Sequence, residues 1–179
     1  MFIILSGCSG VGKNTVIREL LKRNKNIKTY KTCTTRPNVR AEEKVNSEYI
    51  HLTRGEFKNK IDKGELFEFE EIHGNFYGTL KESVDQMRKD NLIKDIGVEG
   101  QISFVKNLPK DIKVVSVFLY APKDELIKRL TERGEQEIEK RMKRFEYENE
   151  LSKNYDYIID NSNLENTLKK MEEIIEKHS

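Results

Sequence analysis

Tryptophan is absent from this chain, and cysteine, histidine and proline are scarce at two, three and three residues in 179. Each shortage closes off a class of protein. Cys8 and Cys33 lack C-x-x-C spacing, and His51, His73 and His178 lack metal-ligand spacing. No disulfide framework or structural zinc site is therefore expected, and a reduced compartment is the simpler reading. There is no internal repeat and no low-complexity linker. The longest apolar stretches are of strand length, too short to span a membrane as a helix. Met1-Phe2 runs straight into the first strand pattern, with no basic segment and cleavage site ahead of it, so a cytoplasmic location is expected. Net charge is also lacking: 33 basic and 31 acidic residues leave +2, which gives no general attraction to nucleic acid or to an anionic membrane.

What is present is charge of both signs, 36% of residues, on a chain long enough for one compact domain with small insertions. Apolar runs of strand type alternate with segments of helical period, the pattern of a parallel sheet with helices on its faces, hence an α/β fold. Core strands are expected at Phe2 to Ser6, Leu92 to Ile96, Val114 to Tyr120 and Tyr157 to Ile159. Thr53-x-x-Glu56, Thr79-x-x-Glu82 and Ser162-x-x-Glu165 each have the form of a capping box, so helices are expected to start there. The last of these carries Leu164, Leu168, Met171, Ile174 and Ile175 on one stripe, which reads as core packing. Gly64 and Gly134 suit helix C-terminal caps. From about Tyr30 to Thr79 the alternation breaks, and short strands with one helix are expected as an insertion at the sheet's carboxyl edge.

The chemistry begins directly after the first strand. Gly7-Cys8-Ser9-Gly10-Val11-Gly12-Lys13-Asn14-Thr15 has the glycines that let backbone N–H groups converge on phosphate oxygens. The amphipathic run Val16, Ile17, Leu20, Leu21 that follows points its positive dipole end at the same place, and Lys13 adds a mobile cation. This is a phosphate-binding loop. Asn14 stands where a Ser or Thr hydroxyl normally reaches Mg²⁺, and Thr15 keeps a hydroxyl one residue later.

A second cluster lies in the insertion. Thr32 to Arg36, Arg40, Tyr49, Glu68 and the run Gly74-Asn75-Phe76-Tyr77-Gly78-Thr79 offer two guanidinium forks, two phenols, hydroxyls and a carboxylate. The set suits a phosphorylated polar ring: Arg forks grip phosphate, and a desolvated carboxylate accepts two N–H bonds from a base edge.

In this order the phosphate loop, Thr34-Thr35-Arg36 with Arg40, Tyr49, the Glu56-Phe57-Lys58-x-x-Ile61 helix signal and Gly74-Asn75-x-Tyr77-Gly78-Thr79 resemble the guanylate kinase family. Asp95, Arg129-Leu130-x-x-Arg133-Gly134, Lys140-Arg141-Met142 and Tyr155-Asp156-Tyr157-Ile158-Ile159-x-Asn161 extend the resemblance over nearly the whole chain. It implies a single domain. A core with a parallel sheet (1–29, 80–132 and 154–179) would carry a nucleoside-monophosphate-binding insertion (30–79) and a short lid (133–153). It also implies transfer of a phosphoryl group from ATP, with Mg²⁺, to GMP, in a monomer or homodimer with no nucleic-acid or membrane partner. The donor would lie on Gly7, Ser9, Gly10, Val11, Gly12, Lys13, Asn14 and Thr15, with Arg133 and Asn161. GMP would lie on Thr32, Arg36, Arg40, Tyr49, Glu68, Tyr77 and Thr79. Lys13, Arg36, Arg133 and Arg141 would be catalytic, and Asn14 and Asp95 would serve the metal through water.

Three departures from the family pattern stand out. Three residues separate Arg36 from Arg40 where two are usual. The lid is short. The family's D-x-D-x-Q-G reads Asp95-Ile96-Gly97-Val98-Glu99-Gly100, so Gly97 removes a carboxylate that in the family helps hold guanine; Glu99 is a candidate substitute, and guanine reading is expected to rest more heavily on Glu68. Asn14 and Thr35-Arg36-Pro37 are also similar to ribose 1,5-bisphosphate phosphokinases, an alternative reading that Arg40, Tyr49 and Glu68 oppose. A catalytically inactive phosphopeptide-binding module of guanylate-kinase type is opposed by the retained Gly12-Lys13 and lid arginines.

Overall fold

The computed structural model describes residues 1–37, 49–72 and 74–179. Arg40 and His73 lie outside the described residues. The central sheet has the order β2-β7-β1-β8-β9, with every pairing parallel. Its strands are β1 (Phe2–Gly7), β2 (Ile27–Lys28), β7 (Asn91–Asp95), β8 (Val114–Tyr120) and β9 (Tyr157–Asp160). The four expected core strands are present, and β2 is an addition: two residues are too short to leave a periodic signal. Among the described residues the helices are α1 (Lys13–Arg23), α2 (Arg54–Asp62), α3 (Lys81–Lys89), α4 (Val98–Asn107), α5 (Lys123–Glu132), α6 (Ile138–Met142), α7 (Phe145–Glu150) and α8 (Leu164–His178).

β1 is buried at every position, and its side chains alternate between two apolar layers. Ile3 and Leu5 pack with Val16, Ile17 and Leu20 of α1, Leu126 and Leu130 of α5, and Leu168 and Met171 of α8. Phe2 and Ile4 pack with Val84 and Met87 of α3 and Phe104 of α4 on the other face. Each such side chain contributes about 1.5–3 kcal/mol by leaving water, so the strand that carries the phosphate loop is anchored on both faces.

The second sheet, order β4-β3-β6-β5, is built from β3 (Thr32–Thr34), β4 (Tyr49–His51), β5 (Leu66–Ile72) and β6 (Asn75–Leu80). Its register puts Thr32 beside Tyr49 and Thr79, and Glu68 beside Thr79, with Glu70 beside Tyr77. Because side chains alternate with period two, these polar residues share one face. The opposite face carries Ile50, Cys33, Leu66, Phe76 and Leu80, which α2 covers through fully buried Phe57. Gly78 permits that close approach: a Cβ there would stand 3.0 Å from the Phe57 ring and 3.1 Å from the Glu68 carbonyl. A bulge between Leu66 and Glu68 changes the phase of β5. Leu66 therefore faces α2, while Phe67 reaches the core and meets the Phe104 ring edge-on at 5.6 Å.

Of the three expected capping boxes, one forms. Thr53 Oγ1 accepts the Glu56 N–H at 3.2 Å and the Glu56 carboxylate accepts the Thr53 N–H at 2.7 Å, an arrangement worth about 1 kcal/mol. Thr79 does not cap α3, because it is buried in the β6 ladder and its N–H serves Glu68; the cap position is Leu80, with no side-chain bond. Ser162 does not cap α8 either. Its N–H is taken by Asp160, and Asn163 caps instead by accepting the Asn166 N–H at 3.0 Å. Gly64 and Gly134, at φ +64° and +74°, close α2 and α5 as expected. The stripe of α8 is buried except Leu164, which is 37% exposed.

Candidate active site

The carboxyl ends of β1, β7 and β9 and the polar face of the second sheet enclose a cleft of about 1000 Å³. One wall is the phosphate loop. Gly7, Ser9, Gly10, Gly12, Lys13, Asn14 and Thr15 line it. Gly12 precedes α1 in the left-handed conformation (φ +99°), where a Cβ would also collide with the Asn161 amide at 2.9 Å. With no acidic residue in its first turn, α1 presents its positive end to the cleft. Val11 does not reach the cleft. Its side chain is in the core, its N–H donates to the Cys8 carbonyl at 3.2 Å, and its carbonyl accepts from Asn161 Nδ2 at 2.7 Å and Arg129 Nη1 at 3.2 Å. Asn161 and Arg129 thus hold the loop's shape from behind, a role for Arg129 that its place in the α5 pattern did not signal. Asn161 Oδ1, buried and without a hydrogen bond, stays open to a donor.

Lys13 donates to the Gly7 carbonyl at 2.6 Å and the Cys8 carbonyl at 3.4 Å, so its ammonium group sits in the concavity of the loop. Burial lowers its pKa, opposed by the charges of Asp95 and Glu148. Asp95 ends β7 beside Leu5 of β1, which brings its carboxylate to the loop. Asn14, Thr15 and Asp95 give the cleft hard oxygen donors close to the phosphate cradle, a set suited to Mg²⁺ carried mainly by phosphate and water. Among the described residues no cluster of three or more His, Cys, Asp or Glu could hold a metal by itself.

From the side of α6, Arg141 donates to Ser9 Oγ at 2.9 Å and pairs with Glu135 at 2.9 Å; Arg133 pairs with the same Glu135 oxygen at 3.1 Å. Burial pushes Glu135 up, but these two guanidinium groups hold it below its ordinary value. Cys8 lies beneath the loop. Burial first, then the negative charge of Glu148, pushes its thiol up to about 12. At pH 8 about one such thiol in ten thousand is ionised, so the native protein should resist iodoacetamide at Cys8 while the unfolded chain is alkylated. Mass spectrometry of the labelled peptides checks this, and rapid native labelling would contradict it.

The opposite wall is the polar sheet face. Thr32, Arg36, Tyr49, Glu68, Tyr77 and Thr79, all expected at the acceptor, line the cleft. The Tyr49 and Tyr77 rings meet edge-on at 6.2 Å, and the Arg36 guanidinium lies 5.5 Å from the centre of the Tyr49 ring. Glu68 Oε1 accepts the Thr79 N–H at 3.1 Å; burial raises its pKa and the Thr79 bonds oppose the rise. The sequence reading missed Tyr30, Lys94 and Glu70. Lys94 lies 5.5 Å from the Tyr30 ring centre and 5.1 Å from that of Tyr49, and pairs with Asp95 at 4.0 Å. A lysine following Leu92 and Ile93 in a strand expected to be core was the available signal. Glu99, the suggested substitute carboxylate, does not line the cleft; it forms an ion pair with Arg144.

A phosphate loop at the end of β1, facing a polar acceptor wall across one cleft, defines a P-loop phosphotransferase for a small phosphorylated acceptor. The guanylate kinase family model matches residues 1–178. A guanylate kinase of Prochlorococcus marinus is 38% identical over 97% of this chain and 95% of its own length. The guanylate kinase of Thermotoga maritima is 32% identical over 96% of this chain and 84% of its own. In three dimensions the crystal structure of guanylate kinase from Anaplasma phagocytophilum overlays with a TM-score of 0.78 at 27% identity, covering 99% of this chain and 85% of that one. The chain belongs to the guanylate kinase family. No helix among the described residues is long and apolar enough to cross a membrane.

Proposed function

We propose that the protein transfers the γ-phosphoryl group of ATP in line to the phosphate of GMP, giving ADP and GDP. The observation that carries this reading is the single cleft, with a phosphate loop on one wall and, on the other, an arginine, two tyrosines and a desolvated carboxylate on one sheet face. The acceptor is already an anion, so no general base is assigned. Catalysis is positioning plus stabilisation of spread negative charge.

Lys13 and the loop N–H groups hold the donor's β- and γ-phosphates. Arg36, Tyr49 and Tyr77 hold the acceptor phosphate, together with Arg40, which lies outside the described residues. Glu68 accepts donors from the guanine edge, with Thr32 and Thr79 beside it. Arg133 and Arg141 neutralise charge on the group in flight. Asn14 and Asp95 orient the water shell of Mg²⁺, which when bound neutralises phosphate charge. The core, the insertion at 30–79 and the lid at 133–153 act as the parts that close over both substrates and exclude water as a competing acceptor.

A coupled assay of ATP consumption against GMP, AMP, UMP and ribose 1,5-bisphosphate tests the reading. GMP should be used far better than the others, and preferential use of ribose 1,5-bisphosphate would overturn it. The metal assignment has its own test. An amide oxygen is a neutral hard ligand, so Asn14→Ser should preserve or improve turnover in a Mg²⁺ titration and Asn14→Leu should raise the Mg²⁺ needed. Equal behaviour of the two variants would remove Asn14 from the metal's surroundings.

A further inference from the structure

Glu70 is two residues beyond Glu68 on the cleft face of β5, past the bulge, and it lines the cleft. Its carboxylate reaches across to the first turn of α4: a Cβ on Gly100 would lie 3.3 Å from each of its two oxygens. Gly97, the cap residue of α4, offers no side chain there, and the carboxylate that meets Gly100 in the first turn comes from the sheet opposite. Burial raises the pKa of Glu70, the negative charges of Glu68 and Glu99 add to the rise, and Arg144 opposes it. Among the described residues Glu70 makes neither a hydrogen bond nor an ion pair. A half-buried carboxylate without a donor is costly to the empty protein, and the cost is relieved when a ligand brings one.

The neighbouring carboxylate cannot take every donor of a guanine edge. One oxygen of Glu68 is already engaged by the Thr79 N–H. The edge presents N1–H and both hydrogens of the 2-amino group; a carboxylate facing N1–H can take that hydrogen and the nearer amino hydrogen, while the outer amino hydrogen points away from it and calls for a second acceptor. We infer that Glu70 is a specificity-determining residue that accepts the 2-amino group of the purine, supplying from β5 the carboxylate that Gly97 does not supply from the start of α4. The inference rests on the GMP-kinase reading. It distributes base recognition over two carboxylates on one strand, and it replaces the expectation that Glu68 carries recognition nearly alone with Glu99 as its helper.

The test compares GMP with IMP, which keeps N1–H and lacks the 2-amino group. Glu70→Ala should lower kcat/KM for GMP about ten- to hundredfold, the range for losing one hydrogen bond to a charged group, and mostly through KM. IMP should change by no more than about twofold, because it offers nothing for Glu70 to accept. Glu70→Gln, which keeps the shape and one acceptor oxygen, should lose less in the same direction. A second carboxylate placed on the other wall supplies a check that a merely structural role would fail. Gly97 has open space around its Cβ position, so adding Gly97→Asp to Glu70→Ala should restore a large part of the preference for GMP over IMP. A wild-type protein inert toward GMP would sink the parent reading and this one together. A wild type that prefers GMP, with an unchanged GMP-to-IMP ratio in Glu70→Ala, overturns the Glu70 assignment alone.

Discussion

Lys13→Met should cut phosphoryl transfer severely while leaving the protein folded. The ammonium group of Lys13 is the only side-chain cation inside the loop sequence from Gly7 to Thr15, and it is fixed by the Gly7 carbonyl at 2.6 Å. A charge held in place before the reaction stabilises developing charge without reorganising, and removing one such group costs about 3–4 kcal/mol of transition-state stabilisation. A drop in kcat of about a hundred- to a thousandfold is therefore expected. The fold should survive, because the core beneath the loop is built from Val11, Val16, Ile17 and Leu20 and not from the lysine. Steady-state kinetics with a thermal melt of the same preparation checks both halves. Turnover near wild type in a folded variant would refute the donor assignment.

Glu68→Gln should cut kcat/KM for GMP about ten- to hundredfold and leave the KM for ATP nearly unchanged. Adenine presents a ring-nitrogen acceptor where guanine presents N1–H, so the charged carboxylate favours GMP and is left partly unpaired by AMP. The amide keeps an oxygen for the Thr79 N–H, which preserves the sheet while removing the charge. Selectivity for GMP over AMP should shrink in parallel. The sign of the pH dependence follows from the same burial. Glu68 and Glu70 are both raised and accept donors most strongly when ionised, so GMP efficiency should fall on acidification at a pH above that of an ordinary carboxylate, about 4.3. In Glu68→Gln that residue's share of the acid limb disappears. Full GMP preference in the variant would mean that guanine is read elsewhere.

The phosphate loop could be read from sequence because its chemistry is contiguous: the residues that cradle the anion are those that make the turn. The acceptor wall was readable from the order of its motifs, which resembles the guanylate kinase family; the register of the folded sheet then puts Thr32, Tyr49, Tyr77 and Thr79 on one face. Glu70 was not, because its importance arises from how β5 stands opposite the start of α4, a tertiary distance that no local spacing encodes. Lys94 was hidden in a strand taken for core. The failed caps at Thr79 and Ser162 have a common cause: hydroxyl spacing suggested a helix start, but the strand end claimed the backbone first. At Asp156 the family motif conceals plain carpentry, since its carboxylate accepts from the Ser116 N–H and hydroxyl at 2.8 and 2.7 Å and pins β9 to β8.

Glu135, gripped by Arg133 and Arg141, places a built-in counter-ion between two arginines at the edge of the cleft. Two guanidinium groups with no anion between them would repel each other and favour an open, fluctuating segment. With the carboxylate as a built-in counter-ion they stay ordered and present one net positive charge to the solvent. On the proposed function, a triphosphate arriving there would meet arginines already paired and would have to take over contacts that the protein makes to itself.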